Sequence, residues 1–115
     1  MQSLDELRQR LRAFAAERDW EQFHSPKNLA MALIVEAGEL VEHFQWLTQA
    51  QSLALAPDKR ERVAQELADV LIYLVRLADR LDVDLLAAAE RKLALNAKKY
   101  PAERARGSAR KYDEI

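Results

Sequence analysis

Four carboxylates form two pairs with the same spacing, Glu36 with Glu39 and Glu66 with Asp69. Both segments have the hydrophobic periodicity of an α-helix, so the two acids of each pair lie on one side of their helix. On a helical wheel Glu36 falls about 20° from Leu29, inside the apolar stripe of its helix. Acids beside the core-facing stripes of two packed helices repel one another unless a cation or a proton lies between them. The pattern predicts a cation site with oxygen ligands, the kind that Mg²⁺ or Mn²⁺ occupies.

Other interpretations of these acids remain open. Each carboxylate could pair with a nearby Arg or Lys, or could point to solvent. A di-iron bundle normally needs Glu-x-x-His on two helices, and that spacing does not occur here, where Glu39 and His43 are four residues apart. His43 is therefore either a core histidine or a further ligand. Gly38, between the first two acids, either has no particular role or leaves room for a neighbouring helix or a ligand.

Aromatic residues accompany the acids in the sequence. Trp46 and Tyr73 each follow an acid by seven positions, which on a helix places the ring on the same flank. Residues 19–24 (DWEQFH) form a short connection that contains a second tryptophan. Rings at such positions are either core residues or stacking partners for a nucleobase, at roughly 1–3 kcal/mol per base. Gln22 and His24 could then donate or accept hydrogen bonds at the base edge.

Cations and an amide recur near the carboxyl end of the chain. Lys92, Asn96 and Lys99 are spaced at i, i+4 and i+7 and share one face of the last predicted helix. Residues 1–90 carry a net charge of −6, whereas residues 91–115 carry +5. Such a face is either solvated or suited to the oxygens of a phosphate chain.

The composition favours an all-α fold in a single domain that spans residues 1–115. The chain has 20 Ala and 18 Leu but only 2 Gly and 3 Pro, so helix formers are abundant and turns are few. We expect a four-helix bundle with helices over about 3–18, 26–47, 57–81 and 84–100, the last beginning at Asp82 or Asp84. Residues 48–56 are expected to form a linker, and residues 102–115 an irregular basic tail. The apolar run 70–75 could be a strand in isolation, but its neighbours keep a helical period.

Several classes of protein are excluded or disfavoured. The chain has no cysteine, which excludes disulfide scaffolds, thiolate zinc sites and cysteine nucleophiles. It has no run of 18 apolar residues and no signal-peptide pattern, so we expect a cytoplasmic protein without a membrane partner. The net charge of −1 argues against a general nucleic-acid binder. The helix over 57–81 is apolar on two sides, including Ala68, Leu71, Ile72 and Val75, which predicts a second subunit as cover.

The spacing Glu36-x-x-Glu39 with Glu66-x-x-Asp69 resembles the signature of the MazG-like all-α nucleoside triphosphate pyrophosphohydrolases. The strings DWEQFH (19–24), GELVEHFQW (38–46), ELADVLIYL (66–74) and ARGSARKY (105–112) strengthen this resemblance over nearly the whole chain. Two positions depart from the family pattern. Leu11 stands where relatives carry a histidine that contacts substrate, and His43 stands where they carry an apolar residue.

The resemblance implies a Mg²⁺-dependent enzyme that converts dCTP, or a modified dCTP, and water to dCMP and pyrophosphate, and so removes unwanted nucleotides. Oxygen ligands would also accept Mn²⁺. The implied metal ligands are Glu36, Glu39, Glu66 and Asp69. For metal-assisted hydrolysis at such a site we expect one of these acids, Glu39, to orient the attacking water. The implied base contacts are Trp20, Glu21, Gln22, Phe23, His24, Trp46 and Tyr73, and the implied phosphate contacts are Lys92, Asn96 and Lys99. A homotetramer built as a dimer of dimers is also implied.

Two alternatives to this function remain. One is a pyrophosphohydrolase with a broader or dUTP-type substrate range. The other is a non-catalytic helical oligomer that serves as an interaction module, in which the acids simply face solvent.

Overall fold

A computed structural model describes all 115 residues, which form helices and turns without any β-strand. The α-helices are α1 (Leu4–Glu17), α2 (Pro26–Glu42), α3 (Gln49–Ser52), α4 (Pro57–Arg80), α5 (Leu85–Lys99) and α6 (Ala102–Ala105). Short 3₁₀ helices cover Glu21–Phe23 and Tyr112–Glu114. The all-α prediction is confirmed. The predicted count of four helices is wrong, because α3 and α6 form inside the expected linker and the expected irregular tail.

The starts of the long helices follow from local capping. The Ser3 hydroxyl accepts a hydrogen bond from the Glu6 amide at 3.1 Å, and the Ser25 hydroxyl accepts one from the Asn28 amide at 3.2 Å. Proline occupies the first position of both α2 and α4, where its missing N–H is not needed. The Asp84 carboxylate caps α5 in the same way as the serines. These starts agree with the sequence predictions to within a residue or two.

The end of α2 differs from the prediction. The helix was expected to reach about Leu47, but it ends at Glu42. Beyond it, backbone amides donate to the carbonyl three residues earlier, as Phe44 N does to Val41 O at 2.9 Å. Thr48 then starts α3 with a reciprocal capping box, in which Thr48 and Gln51 each bond the backbone of the other. The Thr-x-x-Gln spacing that starts this helix lies inside the segment predicted to be a linker.

The chain divides into two compact units, Met1–Asp82 and Val83–Ile115. The expectation of a single domain over 1–115 stays a prediction. In the first unit, α4 packs against both α2 and α1. The buried apolar side chains of this unit are Ala15, Leu29, Val63, Val75 and Ala78.

The second unit contains α5, α6 and the final 3₁₀ turn. The Lys99 ammonium lies 5.2 Å from the centre of the Tyr112 ring. The Tyr100 ring meets Tyr112 edge to face, with ring centroids 6.3 Å apart. These contacts attach the last turn of the chain to the end of α5.

An ion-pair network joins α1 to α4. The Arg12 guanidinium donates to both Asp79 carboxylate oxygens, at 2.7 and 2.5 Å. Asp79 has only 5% of its side chain exposed, and it also accepts from Arg76 at 3.4 Å. The Arg12 guanidinium, through this hydrogen bond, holds the pKa of Asp79 below its ordinary value. The network fixes the last turns of α4 against α1.

Apolar surface on α2 and α4 remains uncovered within the chain. Val75 was expected to need a second subunit as cover, but it is buried, and α1 and α2 both pack on its helix. Leu67 and Leu74 of α4 are 53% and 38% exposed. Phe14 of α1 is 46% exposed, with the Arg18 guanidinium 3.5 Å from its ring centre. None of the helices combines the length and the apolar character that a membrane-spanning segment needs.

Candidate active site

Three of the four predicted acids converge where α2 packs on α4. Glu36 and Glu39 of α2 and Glu66 of α4 each offer a carboxylate oxygen within 4.8 Å of the others. Asp69 lies one turn after Glu66 on α4 and is outside this group, although its charge acts on Glu36. The helical spacing therefore brought together three of the four acids that the sequence pattern singled out.

The alternative that each acid pairs with an Arg or Lys is wrong. No Arg or Lys nitrogen forms an ion pair with any of the four acids. The one basic neighbour is His43, whose Nε2 lies 3.8 Å from Glu66 Oε1. His43 follows the last residue of α2 and is half-buried, so it is neither a fully buried core residue nor part of the three-acid group.

Two carboxylate oxygens in the group are buried without a partner, Glu36 Oε2 and Glu66 Oε2. Burial, together with the neighbouring Glu39 carboxylate, raises the pKa of Glu36 from 4.5 to about 7. Unpartnered buried oxygens are rare in native proteins and call for an ion or a water. The donor set consists of carboxylate oxygens, so the residues present fit a hard divalent cation such as Mg²⁺ or Mn²⁺.

Gly38 lies between the two acids of α2. A methyl group added at its Cα would have no heavy atom within 4 Å. The interpretation that Gly38 permits close approach of a neighbouring helix within the chain is therefore wrong. Clearance for a ligand stays open.

One face of α4 leads from the acids to the connection that precedes α2. Glu66, Asp69, Tyr73 and Arg76 are spaced at i, i+3, i+7 and i+10 and share this face. At 1.5 Å rise per residue, Arg76 lies about 15 Å along the axis from Glu66. There the Arg76 Nε donates to His24 Nδ1 at 3.2 Å, which ties the connection to the helix.

The predicted base-binding connection is a 3₁₀ turn with exposed rings. Trp20 is 43% exposed and Phe23 is 58% exposed, while Glu21 is also on the surface. The Trp20 ring centre lies 6.3 Å from that of His24. These rings are available for stacking and do not form core.

Gln22 is partly committed to this turn. Its amide nitrogen donates to the Asp19 carbonyl at 3.0 Å and to the Asp19 carboxylate at 3.1 Å. Asp19 itself has φ of 54°, a left-handed conformation that Asp tolerates better than most residues. The Gln22 amide oxygen is the part of this side chain that remains for a ligand.

Trp46 does not lie on α2, so its expected alignment with Glu39 on a helical wheel is wrong. It sits in the turn after the helix and is 87% exposed. Tyr73 does lie on the acid-bearing face of α4 and is half-buried. Two rings, Trp46 and Tyr73, were predicted to flank the acids, and only Tyr73 lies on the same helix face as the acids.

The predicted phosphate contacts belong to the second unit. Lys92, Asn96 and Lys99 all lie on α5, as their spacing predicted, with both lysines exposed and Asn96 half-buried. Their proposed role toward phosphate stays a prediction.

Arg76 is a candidate site residue that was not among the predicted ones. It is 5% exposed and interrupts an otherwise apolar stretch of α4. A charged residue inside an apolar run was a signal that could have found it, since buried charges are kept where they have partners.

Comparisons with known proteins agree with this architecture. Residues 31–115 match the MazG-like family. The chain is 51% identical to human dCTP pyrophosphatase 1 and 49% identical to the rat protein of that name, in each case over 98% of this chain and 68% of the relative. The crystal structure of a pyrophosphatase from Archaeoglobus fulgidus superposes with a TM-score of 0.80 at 39% identity, over 84% of this chain and 91% of that one. From its sequence and its helical structure, this chain belongs to the MazG-like family.

Proposed function

We propose that this chain is a dCTP pyrophosphatase, which converts dCTP and water to dCMP and pyrophosphate. Relatives about half identical over nearly the whole chain carry that name, and the structural neighbour is a pyrophosphatase. The observation that carries the proposal is the group of Glu36, Glu39 and Glu66, with two buried oxygens that lack partners. A triphosphate and its cation are a ligand pair that such a group suits.

The cation in this proposal is Mg²⁺, with Mn²⁺ as a substitute. Glu36, Glu39 and Glu66 would hold it, with Asp69 completing the set from the next turn of α4. When bound, it supplies positive charge to phosphate oxygens and acidifies water. Buried, unpaired acids are costly for the free protein, so cation binding also relieves repulsion within the group.

The chain's own residues divide the remaining work. Glu39 is the exposed member of the acid group, and we assign it the role of holding and orienting the attacking water. The aromatic residues of the connection and Tyr73 stack on the base, and the exposed Trp46 can close over it. Stacking serves every base, so it contributes affinity but little selectivity. Lys92, Asn96 and Lys99 bind phosphate oxygens in this proposal.

The test is pyrophosphate release from a panel of triphosphates, namely dCTP, 5-methyl-dCTP, dUTP, dTTP and dATP, with and without Mg²⁺. We expect dCTP or its 5-modified form to be the best substrate and EDTA to abolish turnover. Equal use of every triphosphate would indicate a broader enzyme, and preference for dUTP would indicate the dUTP-type alternative. If no pyrophosphate is released from any of these triphosphates, the alternative of a non-catalytic interaction module is favoured.

Variants of the acid group sharpen this test. Glu36→Gln and Glu66→Gln keep side-chain size but remove a charge, and we expect each to lose turnover by at least about a hundredfold. Glu61→Gln is the matched control, because Glu61 is an exposed acid on α4 with no ion pair. Near-normal turnover in both acid-group variants would contradict the assignment of the cation site.

We also propose that the chain self-associates, as a dimer of dimers. Apolar side chains are exposed on both packed helices, with Ile34 of α2 69% exposed and Leu67 and Leu71 of α4 53% and 40% exposed. Exposed apolar patches of this kind mark interaction surfaces. Light scattering should give a mass about four times 13.2 kDa at micromolar concentration. A monomer under those conditions would contradict the proposal.

A further inference from the structure

Arg76 is a buried arginine whose guanidinium bonds the side chain of a histidine. Its Nε donates to His24 Nδ1 at 3.2 Å and its Nη1 donates to Asp79 Oδ2 at 3.4 Å. Its Nη2 is buried and has no partner. Arginine stays protonated in proteins and has no acceptor atom, so His24 Nδ1 must carry a lone pair in this contact. The ring proton of neutral His24 is therefore on Nε2.

The surroundings of His24 favour the neutral ring. Burial is the main cause that lowers the pKa of His24, and the charges of Arg76 and Arg80 on α4 lower it further. Glu21, in the turn before His24, acts in the opposite direction but more weakly. Protonation of Nδ1 would also set two donors against each other. At neutral pH His24 is thus an imidazole with a fixed N–H donor at Nε2.

That donor is free to meet a ligand. His24 Nε2 makes no hydrogen bond within the chain and is not among the buried unpartnered atoms. The ring of Trp20 stands beside it, with a centroid distance of 6.3 Å. Arg76 shares the face of α4 that carries Glu66, about 15 Å away along the axis. His24 is therefore placed at the far end of the acid-bearing face, beside an exposed aromatic ring.

We propose that Arg76 is a positioning residue that fixes His24 as a donor at Nε2, and that this N–H selects cytosine by donating to its N3. The inference rests on the proposed function and adds the source of its base selectivity. Cytosine N3 is an acceptor, whereas thymine and uracil carry a hydrogen at N3. A fixed N–H donor on His24 pairs with cytosine N3, whereas in thymine and uracil it faces the N3–H, which is a second donor. Sites built to hydrogen-bond a substrate reject analogues that leave their polar groups unpaired.

The kinetic test compares dCTP with 3-deaza-dCTP, which replaces N3 by a C–H group and leaves the rest of the base in place. We expect wild type to lose about tenfold in kcat/KM on this change. His24→Ala should use the two substrates within about twofold of each other, because it no longer has the donor. An undiminished tenfold difference in His24→Ala would overturn the assignment of N3 to His24.

The positioning role of Arg76 is tested with the ratio of kcat/KM for dCTP to that for dTTP. Arg76→Met should lower this ratio by about tenfold, because a released His24 can exchange tautomers and accept from thymine N3–H. Arg80→Met is the matched control, since Arg80 is an exposed neighbour that also lowers the pKa of His24 but makes no bond to it. Equal ratios in wild type and Arg76→Met, or an equal fall in both variants, would overturn the role of Arg76.

A nitrogen-15 NMR spectrum of the imidazoles, recorded without substrate, tests the tautomer directly. We expect His24 of wild type at pH 7.5 to be neutral with Nδ1 unprotonated, and Arg76→Met to show a mixture of tautomers. A wild-type His24 with a proton on Nδ1 would overturn the inference even if Arg76→Met does not fold. If wild type releases no pyrophosphate from dCTP, the proposed function fails and the cytosine contact fails with it. The NMR result would then still decide whether Arg76 fixes the histidine.

Discussion

Replacing Glu36 by Gln should stabilise the protein in the absence of a divalent cation. Glu36 has a buried, unpartnered carboxylate oxygen and faces three other acids across α2 and α4. Its pKa rises from 4.5 to about 7, mainly through burial and then through the adjacent Glu39. The amide of Gln carries no charge and can donate to Glu39 as the protonated acid would. Glu36→Gln therefore removes repulsion while keeping the shape of the site.

The size of the effect follows from the pKa. A rise from 4.5 to about 7 corresponds to at most about 3.5 kcal/mol of unfolding free energy, at about 1.4 kcal/mol per unit. Glu36 is partly exposed, so solvent screening reduces this to about 1–2 kcal/mol. In a domain of this length that gain is roughly 4–8 °C in melting temperature.

The gain in unfolding free energy on Glu36→Gln depends on pH. A carboxyl whose pKa is raised on folding costs nothing when it is protonated in both states, well below pH 4.5. The cost grows as pH rises from 4.5 to about 7 and is complete above that range. The advantage of Glu36→Gln should therefore be full at pH 8 and only about a quarter as large at pH 5.

The assay is thermal melting by circular dichroism in EDTA, at equal protein concentration, for wild type, Glu36→Gln and the control Glu61→Gln. Adding Mg²⁺ should make the melting temperature of wild type higher than that of Glu36→Gln. A cation that binds the native state stabilises it, and the variant has lost one of the carboxylates that would hold the cation. A lower melting temperature for Glu36→Gln in EDTA at pH 8 would refute the reasoning. So would an advantage that does not shrink at pH 5, or an equal gain in Glu61→Gln.

Two further predictions concern the first unit. Arg12→Met should lower the urea midpoint at pH 7 relative to Arg10→Met, an exposed arginine without an ion pair, because Arg12 bonds both oxygens of Asp79. The fold lowers the pKa of Asp79 from its ordinary value of 3.8. The difference in urea midpoint between the two variants should therefore be present above pH 3.8 and should be lost as the pH falls through the lowered pKa of Asp79. Urea titrations at several pH values will show this. Gly38→Ala should raise the unfolding free energy by about 0.5–1 kcal/mol in urea denaturation, since Ala favours the helix interior and its methyl group meets nothing within 4 Å. A loss of stability in Gly38→Ala would show that this position is crowded.

The sequence alone was enough to predict where the long helices begin and that Glu36, Glu39 and Glu66 converge. Helix starts depend on a side chain and an amide two or three residues away, so Ser3, Ser25 and Asp84 could be identified as caps. The periodicity of α2 and α4 placed Glu36 and Glu66 beside their apolar stripes. Two helices with complementary stripes pack together, and the acids then converge.

Other features depended on competition between neighbouring signals. The apolar pattern of α2 continues past Glu42, but the capping box of Thr48 and Gln51 begins a new helix and turns the chain before it. Periodicity cannot tell which of two such signals prevails, because each is worth only about 1 kcal/mol. Trp46 was misplaced for this reason.

The tertiary structure alone decided which charged groups meet across elements. Arg76 and His24 are separated by 52 positions, and Arg12 and Asp79 by 67. Their contacts depend on the angle at which α1 and the connection cross α4, which no local pattern specifies. Hydrogen bonds act over about 3 Å, whereas a helical wheel places a side chain only to within a face. The sequence therefore determined the long helices and the faces on which the acids lie, and packing determined which side chains are buried and which charged groups touch.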